Sequence, residues 1–260
     1  MGLFQSWRRR RTLARTNLDP ELWRRVTGAL PFLRGLSGDE LARLRELAVL
    51  FLVEKEMHGA HGLELTDAVR LSIAVQACLP ILNLGIDWYE GWVGVIVYPG
   101  EFRVRKEEAD EHGVVHTFDE GLSGEAWPGG PVVLSWQDAD MAEAGYNVVI
   151  HEFAHKLHML RGEDGGFPLP QSGMNASAWR DTLERAYARF CAEVDAGAPT
   201  IVDAYAAEHP AEFFAVMSET LFTDSAILAR DYAELYAQLA QFYRQDPAGV
   251  LPSSGSPESA

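Results

Sequence analysis

The sequence predicts an α+β fold in which helices predominate and a small mixed sheet lies beside one metal-binding helix. Three observations support this prediction. Residues 20–81 show apolar positions at helical spacing, whereas residues 92–98, 114–118 and 131–136 are rich in β-branched and aromatic side chains. Residues 147–160 then form an apolar run that contains three histidines and one glutamate. With 260 residues, 47% of them hydrophobic, the chain can bury a sizeable core.

The chain begins with an arginine-rich segment. We expect residues 1–19 to form a flexible basic leader and residues 20–81 to form an N-terminal helical section, with helices over 20–31, 38–56 and 65–81. The first 50 residues carry 10 Lys and Arg against 5 Asp and Glu, while the remaining 210 carry 12 against 33. A solvated leader is the favoured interpretation of this asymmetry, and contact with an acidic partner or with the chain's own body is the alternative.

The composition also bounds the class of protein. An acidic body disfavours direct binding to nucleic acid, because phosphates repel it. No apolar run is long enough to cross a membrane, and no apolar stretch of an export signal follows the arginines. Cys78 and Cys191 lie in apolar helical contexts, so both are predicted to be buried thiols in a reducing compartment. These observations predict a cytoplasmic protein that does not contact membranes.

The C-terminal half alternates long helices with one loop. Residues 162–173 are rich in Gly and Pro, which indicates a long loop beside the cleft. Residues 178–195 and 226–244 are predicted to be helices, and Pro210 suits the first turn of another apolar helix. Residues 247–260 are rich in Pro and Ser and are predicted to be a disordered tail.

The motif that carries chemistry is His151-Glu152-Phe153-Ala154-His155. On a helix, residues four apart project from one face, so His151 and His155 can converge on a single ion. Two neutral imidazoles suit Zn²⁺, and Glu152 lies beside them, where it can take a proton from water. Asn147 is placed to cap this helix and Gly162 to end it, which gives a helix of about fourteen residues. The pattern therefore predicts a hydrolytic zinc site.

A catalytic zinc site requires a third protein ligand. His158 lies two turns after His151, about 10 Å along the helix, which is too far to share one ion. We therefore expect His158 to support a ligand or to face the substrate. Glu212 and Glu219 are seven residues apart on one face of the next apolar helix, and one of them is expected to meet the metal. Glu212 is favoured as the ligand because aromatic and apolar residues flank it, and Glu219, like His158, is then expected to support a ligand or to face the substrate. A solvated acidic stripe is the alternative for both glutamates.

These motifs resemble a known family. The run 149–157 around the histidines, the stretch 165–170, residues 81–84, residues 130–136, and Tyr205 seven positions before Glu212 are similar to the Mlc titration factor family of M90 zinc metallopeptidases. These are gluzincins, distantly similar to the catalytic domain of anthrax lethal factor. The resemblance covers residues 20–245, and it differs at His158, where the family usually has Asp.

The resemblance implies a zincin-like catalytic domain of gluzincin type over residues 82–246. It implies that His151, His155 and Glu212 bind one Zn²⁺, that Glu152 is the general base, and that Tyr205 donates to the developing oxyanion. A packed tyrosine at a helix end is the alternative for Tyr205. The strand 130–136 is the candidate edge strand that holds the substrate backbone, and a buried interior strand is an equally open alternative.

Two functions follow from the resemblance. The first is a zinc-dependent peptidase, of aminopeptidase type, that acts on peptide substrates. The second is a regulatory binding protein that sequesters an Mlc-like transcriptional repressor and so affects glucose uptake, with proteolysis secondary. A structural zinc site is disfavoured, because such sites usually have four ligands including thiolates, and neither Cys lies near the motif.

Overall fold

The computed structural model describes residues 3–109, 115–139, 146–161 and 166–249. Its helices are, in chain order, α1 Leu3–Arg15, α2 Pro20–Gly28, α3 Gly38–Glu54, α4 Asp67–Cys78, α5 Trp136–Ala139, α6 Val148–Arg161, α7 Ala176–Asp195, α8 Pro210–Thr223, α9 Ser225–Asp231 and α10 Ala233–Tyr243. Short 3₁₀ helices cover Pro31–Leu33, Ile86–Tyr89 and Ala204–Ala207. The strands are β1 Glu56–Gly59, β2 Gly94–Tyr98, β3 Phe102–Ala109, β4 Val115–Leu122, β5 Gly124–Ala126 and β6 Val132–Ser135. The predicted α+β class is confirmed.

The main sheet has the strand order β1-β2-β6-β5. The first three strands are parallel, and β5 pairs antiparallel with β6 through the partners Gly124 and Leu134, Glu125 and Val133, and Ala126 and Val132. A separate antiparallel pair joins β3 to β4. All four residues of β6 are buried, as expected for a parallel strand covered on both faces.

Position in the sheet decides between the two alternatives for residues 130–136 and rules out the edge strand. The candidate edge strand at 130–136 contains β6, which lies between β2 and β5 and is therefore an interior strand. In the part of the chain that the structure describes, the last strand on this side of the sheet is β5, a three-residue segment that the sequence did not reveal. The predicted strand 114–118 corresponds to β4, apart from residue 114, which lies outside the described residues.

The N-terminal region also differs from the prediction. The leader 1–19 was expected to be flexible, but its residues from Leu3 to Arg15 form α1. Arg9 is only 8% exposed, and its guanidinium pairs with Glu54 at 2.8 Å and with Asp87. The alternative that the basic segment contacts the chain's own body is thus the one observed at Arg9. The section 20–81 contains its predicted helices and also contributes β1 to the sheet.

One core joins these elements. Buried hydrophobic side chains from Val26 to Tyr243 form a single cluster that includes residues of the sheet, α3, α4, α6, α8 and α10. Cys78 is buried as predicted, whereas Cys191 is only partly buried. The predicted helix 226–244 is two helices, α9 and α10, because the backbone leaves the helical region at Tyr232, with φ −132° and ψ 52°. Among the described residues, no helix has the length and apolar character needed to cross a membrane.

The structure describes only part of the predicted loop 162–173 and part of the predicted tail 247–260. Residues 162–165 of the predicted loop lie outside the described residues, and residues 166–173 form no helix or strand element. Residues 250–260 of the predicted tail also lie outside them.

Candidate metal centre

The histidine motif lies on α6, in the middle of the core. Asn147 caps the helix, since its side-chain oxygen accepts the N–H of Ile150 at 2.9 Å, and the helix has the predicted fourteen residues. The predicted terminator Gly162 lies outside the described residues. Fully buried apolar residues fix α6 against the sheet on one side and α8 on the other: Val149, Ile150, Phe153, Ala154 and Leu157. The chemistry-bearing side chains are thereby held on a rigid element.

Three side chains bring one donor atom each to a common point. The Nε2 atoms of His151 and His155 are 3.1 Å apart. Glu212 Oε2, from the first turn of α8, lies 3.3 Å from the first nitrogen and 3.2 Å from the second. This group is the one set of three or more potential ligands within 4.8 Å of each other among the described residues.

The chemistry of this donor set fits zinc. Two imidazole nitrogens and one carboxylate oxygen are the ligands of many catalytic zinc sites, which keep a fourth position open. The charges agree with a cation at this point. Burial lowers the pKa of His151, but hydrogen bonds to Glu212 and Glu219 outweigh this effect and raise it to about 10. The carboxylates that stabilise a proton on His151 would equally stabilise a metal cation.

Glu219 occupies a different position from Glu212. Its Oε2 lies 3.3 Å from Nδ1 of His151, and its Oε1 accepts the backbone N–H of Asn147. The carboxylate is 3% exposed. The sequence offered Glu212 and Glu219 as alternative ligands. Glu212 lies with the donor atoms at Nε2 of His151, whereas Glu219 contacts the other ring nitrogen, Nδ1.

Glu152 lies against the end of the sheet. Its side chain is 5% exposed and packs on the α-carbon of Gly124, the first residue of β5. A β-carbon at Gly124 would be 2.4 Å from Glu152 Oε1, so only glycine leaves room for this carboxylate. Burial raises the pKa of Glu152 to about 8, an effect that the nearby His151 opposes and the negative charges of Glu212, Glu125 and Glu219 reinforce. A cation at the neighbouring donor atoms would favour the ionised form again.

Lys156 links the motif helix to the β5–β6 turn. Its ammonium donates to the carbonyl oxygens of Trp127 at 2.6 Å and Gly130 at 2.8 Å, and it lies 4.9 Å from the ring centre of Trp92. The lysine is 4% exposed. It thus holds the strand that carries Gly124 beside the helix that carries Glu152. A lysine inside an apolar helix is the sequence signal that could have indicated this role.

His158 does not join the donor group. Its Nε2 lies 2.5 Å from the carbonyl oxygen of Gly166, so the ring is bonded to the loop after α6. Burial lowers the pKa of His158, which favours the neutral ring, and a carbonyl oxygen beside Nε2 requires the proton to be on that nitrogen. The prediction that it is no ligand agrees with this geometry. The hydrogen bond to the loop was not foreseen.

Tyr205 lies in the 3₁₀ helix Ala204–Ala207, which directly precedes α8. Its backbone N–H donates to Asp203 Oδ1 at 2.8 Å, and the residue is 38% exposed. The role of its hydroxyl as an oxyanion donor stays a prediction.

Comparison with known proteins agrees with this geometry. A family model described as glucose-regulated metallo-peptidase M90 matches residues 4–244. The chain is 40% identical over 229 residues to Mlc titration factor A of Salmonella typhi, and 40% identical over 229 residues to the protein of the same name from Salmonella typhimurium. Each match covers 86% of this chain and 86% of the relative. The resemblance that the sequence motifs indicated is confirmed, and the chain belongs to the glucose-regulated metallo-peptidase M90 family.

Proposed function

We propose that this protein is a zinc-dependent peptidase whose site consists of His151, His155, Glu212 and Glu152. The observation that supports it most is the convergence of two imidazoles and one carboxylate beside a second, buried carboxylate. The first three side chains would hold the metal. A zinc ion bound there supplies Lewis acidity toward a peptide carbonyl and toward water.

The protein's own residues perform the proton transfers. Glu152 takes a proton from the attacking water and delivers it to the amine that leaves. The burial of Glu152 excludes bulk water from its carboxylate. It also strengthens the attraction between this carboxylate and the neighbouring metal cation. Tyr205 is proposed to donate a hydrogen bond to the oxygen that becomes negative in the transition state.

The substrate backbone is proposed to lie along β5 and not along β6. Gly124 of β5 is in contact with Glu152, so a peptide paired with this strand would pass next to the general base. Lys156 holds the adjoining turn in place through its two carbonyl contacts.

We propose an aminopeptidase preference. Glu125 lies on β5, the strand proposed to hold the substrate, and is close enough to Glu152 to raise its pKa, so its negative charge can attract the ammonium of a free peptide N-terminus. Free peptides should therefore be cleaved faster than the same peptides with an acetylated N-terminus. Equal rates on both would contradict the preference without affecting the proposed hydrolytic chemistry.

The test of the proposed activity is Glu152→Gln. Hydrolysis of a peptide panel should fall by at least about 100-fold because the general base is lost, while the bound zinc remains. Glu46→Gln, at an exposed position on α3, is the matched control and should retain full activity. Hydrolysis that survives in Glu152→Gln, or after removal of zinc, would refute the mechanism.

A second candidate function rests on the names of the relatives. Proteins called Mlc titration factor A are 40% identical to this chain, and we propose that it too binds an Mlc-like repressor, in the cytoplasm. Binding should persist in Glu152→Gln, since that change removes a buried carboxylate and leaves the surface intact. Loss of binding together with hydrolysis would place both functions at one site.

A further inference from the structure

We propose that Gln76, on α4, is a positioning residue for His151 and acts through Asn147 and Glu219. The inference rests on the metal centre of the proposed function. It concerns a residue that lies 75 positions before the histidine motif and on a different helix.

Gln76 is a fully buried carboxamide on an apolar helix. Its oxygen accepts a hydrogen bond from Asn147 Nδ2 at 2.7 Å, and its nitrogen donates to Ser72 Oγ at 3.2 Å. A buried amide is costly unless its polar atoms are bonded, so these partners fix the orientation of the side chain. Gln76 thus presents its carboxamide oxygen to Asn147 in a position that is shielded from solvent.

Three groups of Asn147 form hydrogen bonds. Its Nδ2 donates to Gln76, its Oδ1 caps α6 at Ile150, and its backbone N–H donates to Glu219. The residue is 2% exposed. The side-chain amide of Asn147 can donate to Gln76 and cap α6 in only one orientation. Gln76 therefore fixes where α6 begins and the direction in which the backbone N–H of Asn147 points toward Glu219.

Glu219 connects Asn147 to His151. One carboxylate oxygen is bonded to Asn147, and the other lies 3.3 Å from His151 Nδ1. A proton held on Nδ1 leaves the Nε2 lone pair free, and Nε2 is the atom that faces His155 and Glu212. The chain of bonds therefore selects the tautomer and the ring angle of one candidate ligand.

The test is Gln76→Met, which keeps the length of the side chain and removes its acceptor. Zinc affinity, measured by competition with a fluorescent chelator, should fall about tenfold, the lower end of the range for loss of a ligand-supporting partner. Glu219→Gln should lower it by about 10-fold to 100-fold. In the Glu219→Gln background, Gln76→Met should add less than about threefold, because both changes break one chain of bonds.

The matched control is Tyr243→Phe. Tyr243 is fully buried and donates to Ser218 Oγ at 2.8 Å, one residue before Glu219, but it belongs to no bond of this network. The change should lower the unfolding temperature of the metal-free protein and leave zinc affinity within about twofold of the unaltered chain.

Three results would overturn the inference. They are unchanged affinity in Gln76→Met, an equal loss in Tyr243→Phe, and full additivity with Glu219→Gln. In each case the unaltered chain still binds zinc, so the proposed function stands. If the unaltered chain binds no zinc, the proposed function and this inference both fail.

Discussion

At the scale of single residues, the site depends on the absence of a side chain at Gly124. Gly124→Ala would place a methyl group 2.4 Å from Glu152 Oε1, so either the carboxylate or β5 must move. We expect peptide hydrolysis to fall by about 10-fold to 100-fold, since displacement of a catalytic group by 1 Å has effects of this size. Steady-state kinetics on a peptide substrate and zinc analysis would measure it, with the metal retained.

Gly94→Ala is the control for that change. Gly94 lies on β2 of the same sheet, and its β-carbon would be 3.5 Å from Pro131, an ordinary contact. Near-normal activity in Gly94→Ala and reduced activity in Gly124→Ala is the expected pattern. Equal activity in both would show that Glu152 tolerates the methyl group.

A second residue, Lys55, makes the stability depend on pH. Its buried ammonium donates to the carbonyls of Tyr89 and Trp92 and lies 4.0 Å from the ring centre of Trp92. Burial lowers the pKa of Lys55 from 10.5 to about 8. Between these two values the unfolded chain binds the proton more readily than the folded chain, so the free energy of unfolding rises with pH.

The expected measurement compares the unaltered chain with Lys55→Met by urea unfolding of the metal-free protein from pH 7 to pH 10. Relative to that of Lys55→Met, the free energy of unfolding of the unaltered chain should rise by about 1 kcal/mol for each pH unit above pH 8. A constant difference across this range would show that the pKa of Lys55 is not lowered.

The sequence indicated a set of candidate ligands and named Glu219 and His158 as supporting or substrate-facing residues, but it did not indicate Gly124 or Gln76. Helical spacing predicts that His151, His155 and Glu152 lie close together, and the apolar residues that flank Glu212 favour it over Glu219 as the third ligand. Gly124 and Gln76 could not be found in this way, because their roles arise from contacts between segments that are distant in the chain. A glycine or a glutamine has no local pattern that indicates such a contact.

At the scale of secondary-structure elements, His158 ties α6 to the loop that follows it. In His158→Asp the carboxylate cannot donate to the carbonyl of Gly166, so the segment 166–170 should loosen. Loss of a hydrogen bond worth about 1.4 kcal/mol corresponds to roughly tenfold faster amide exchange. Hydrogen exchange monitored by mass spectrometry would measure it, while zinc affinity should stay within about threefold.

His158→Gln retains an N–H donor and serves as the comparison. It should preserve more of the protection in residues 166–170 than His158→Asp does. A large loss of zinc in either variant would contradict the position of His158 outside the donor group.

The sheet shows why strand order is harder to predict than strand existence. Residues 131–136 were recognised as a strand, and their continuous apolar run is typical of an interior parallel strand. The resemblance favoured the edge, whereas the structure agrees with the residue pattern. Among the described residues, the last strand on this side of the sheet is β5. It has only three residues, one of which is Gly124, so no alternation of polar and apolar positions could indicate it.

At the scale of the whole molecule, α1 is held to the body by Arg9. Arg9→Met should reduce the free energy of unfolding by about 1–3 kcal/mol, because Glu54 and Asp87 would keep their charges without this partner. It should also speed trypsin cleavage after Arg8 and Arg10. Urea unfolding and limited proteolysis would test both effects.

Arg10→Met is the control, since Arg10 is exposed on the same helix. Its stability should remain within about 0.5 kcal/mol of the unaltered chain. Equal stability losses in the two variants would mean that the ion pairs of Arg9 do not anchor α1.

The network behind His151 has a consequence for how the protein folds. The bond between Asn147 and Gln76 spans 71 residues, and the bond between His151 and Glu219 spans 68. Closing such long loops is slow and entropically costly, so α6 can form early without a competent set of ligands. We therefore expect tight metal uptake to appear only at the last cooperative step of folding, when segments from both halves of the chain have met. For this protein, bound zinc is a reporter of completed folding and not of the histidine helix alone.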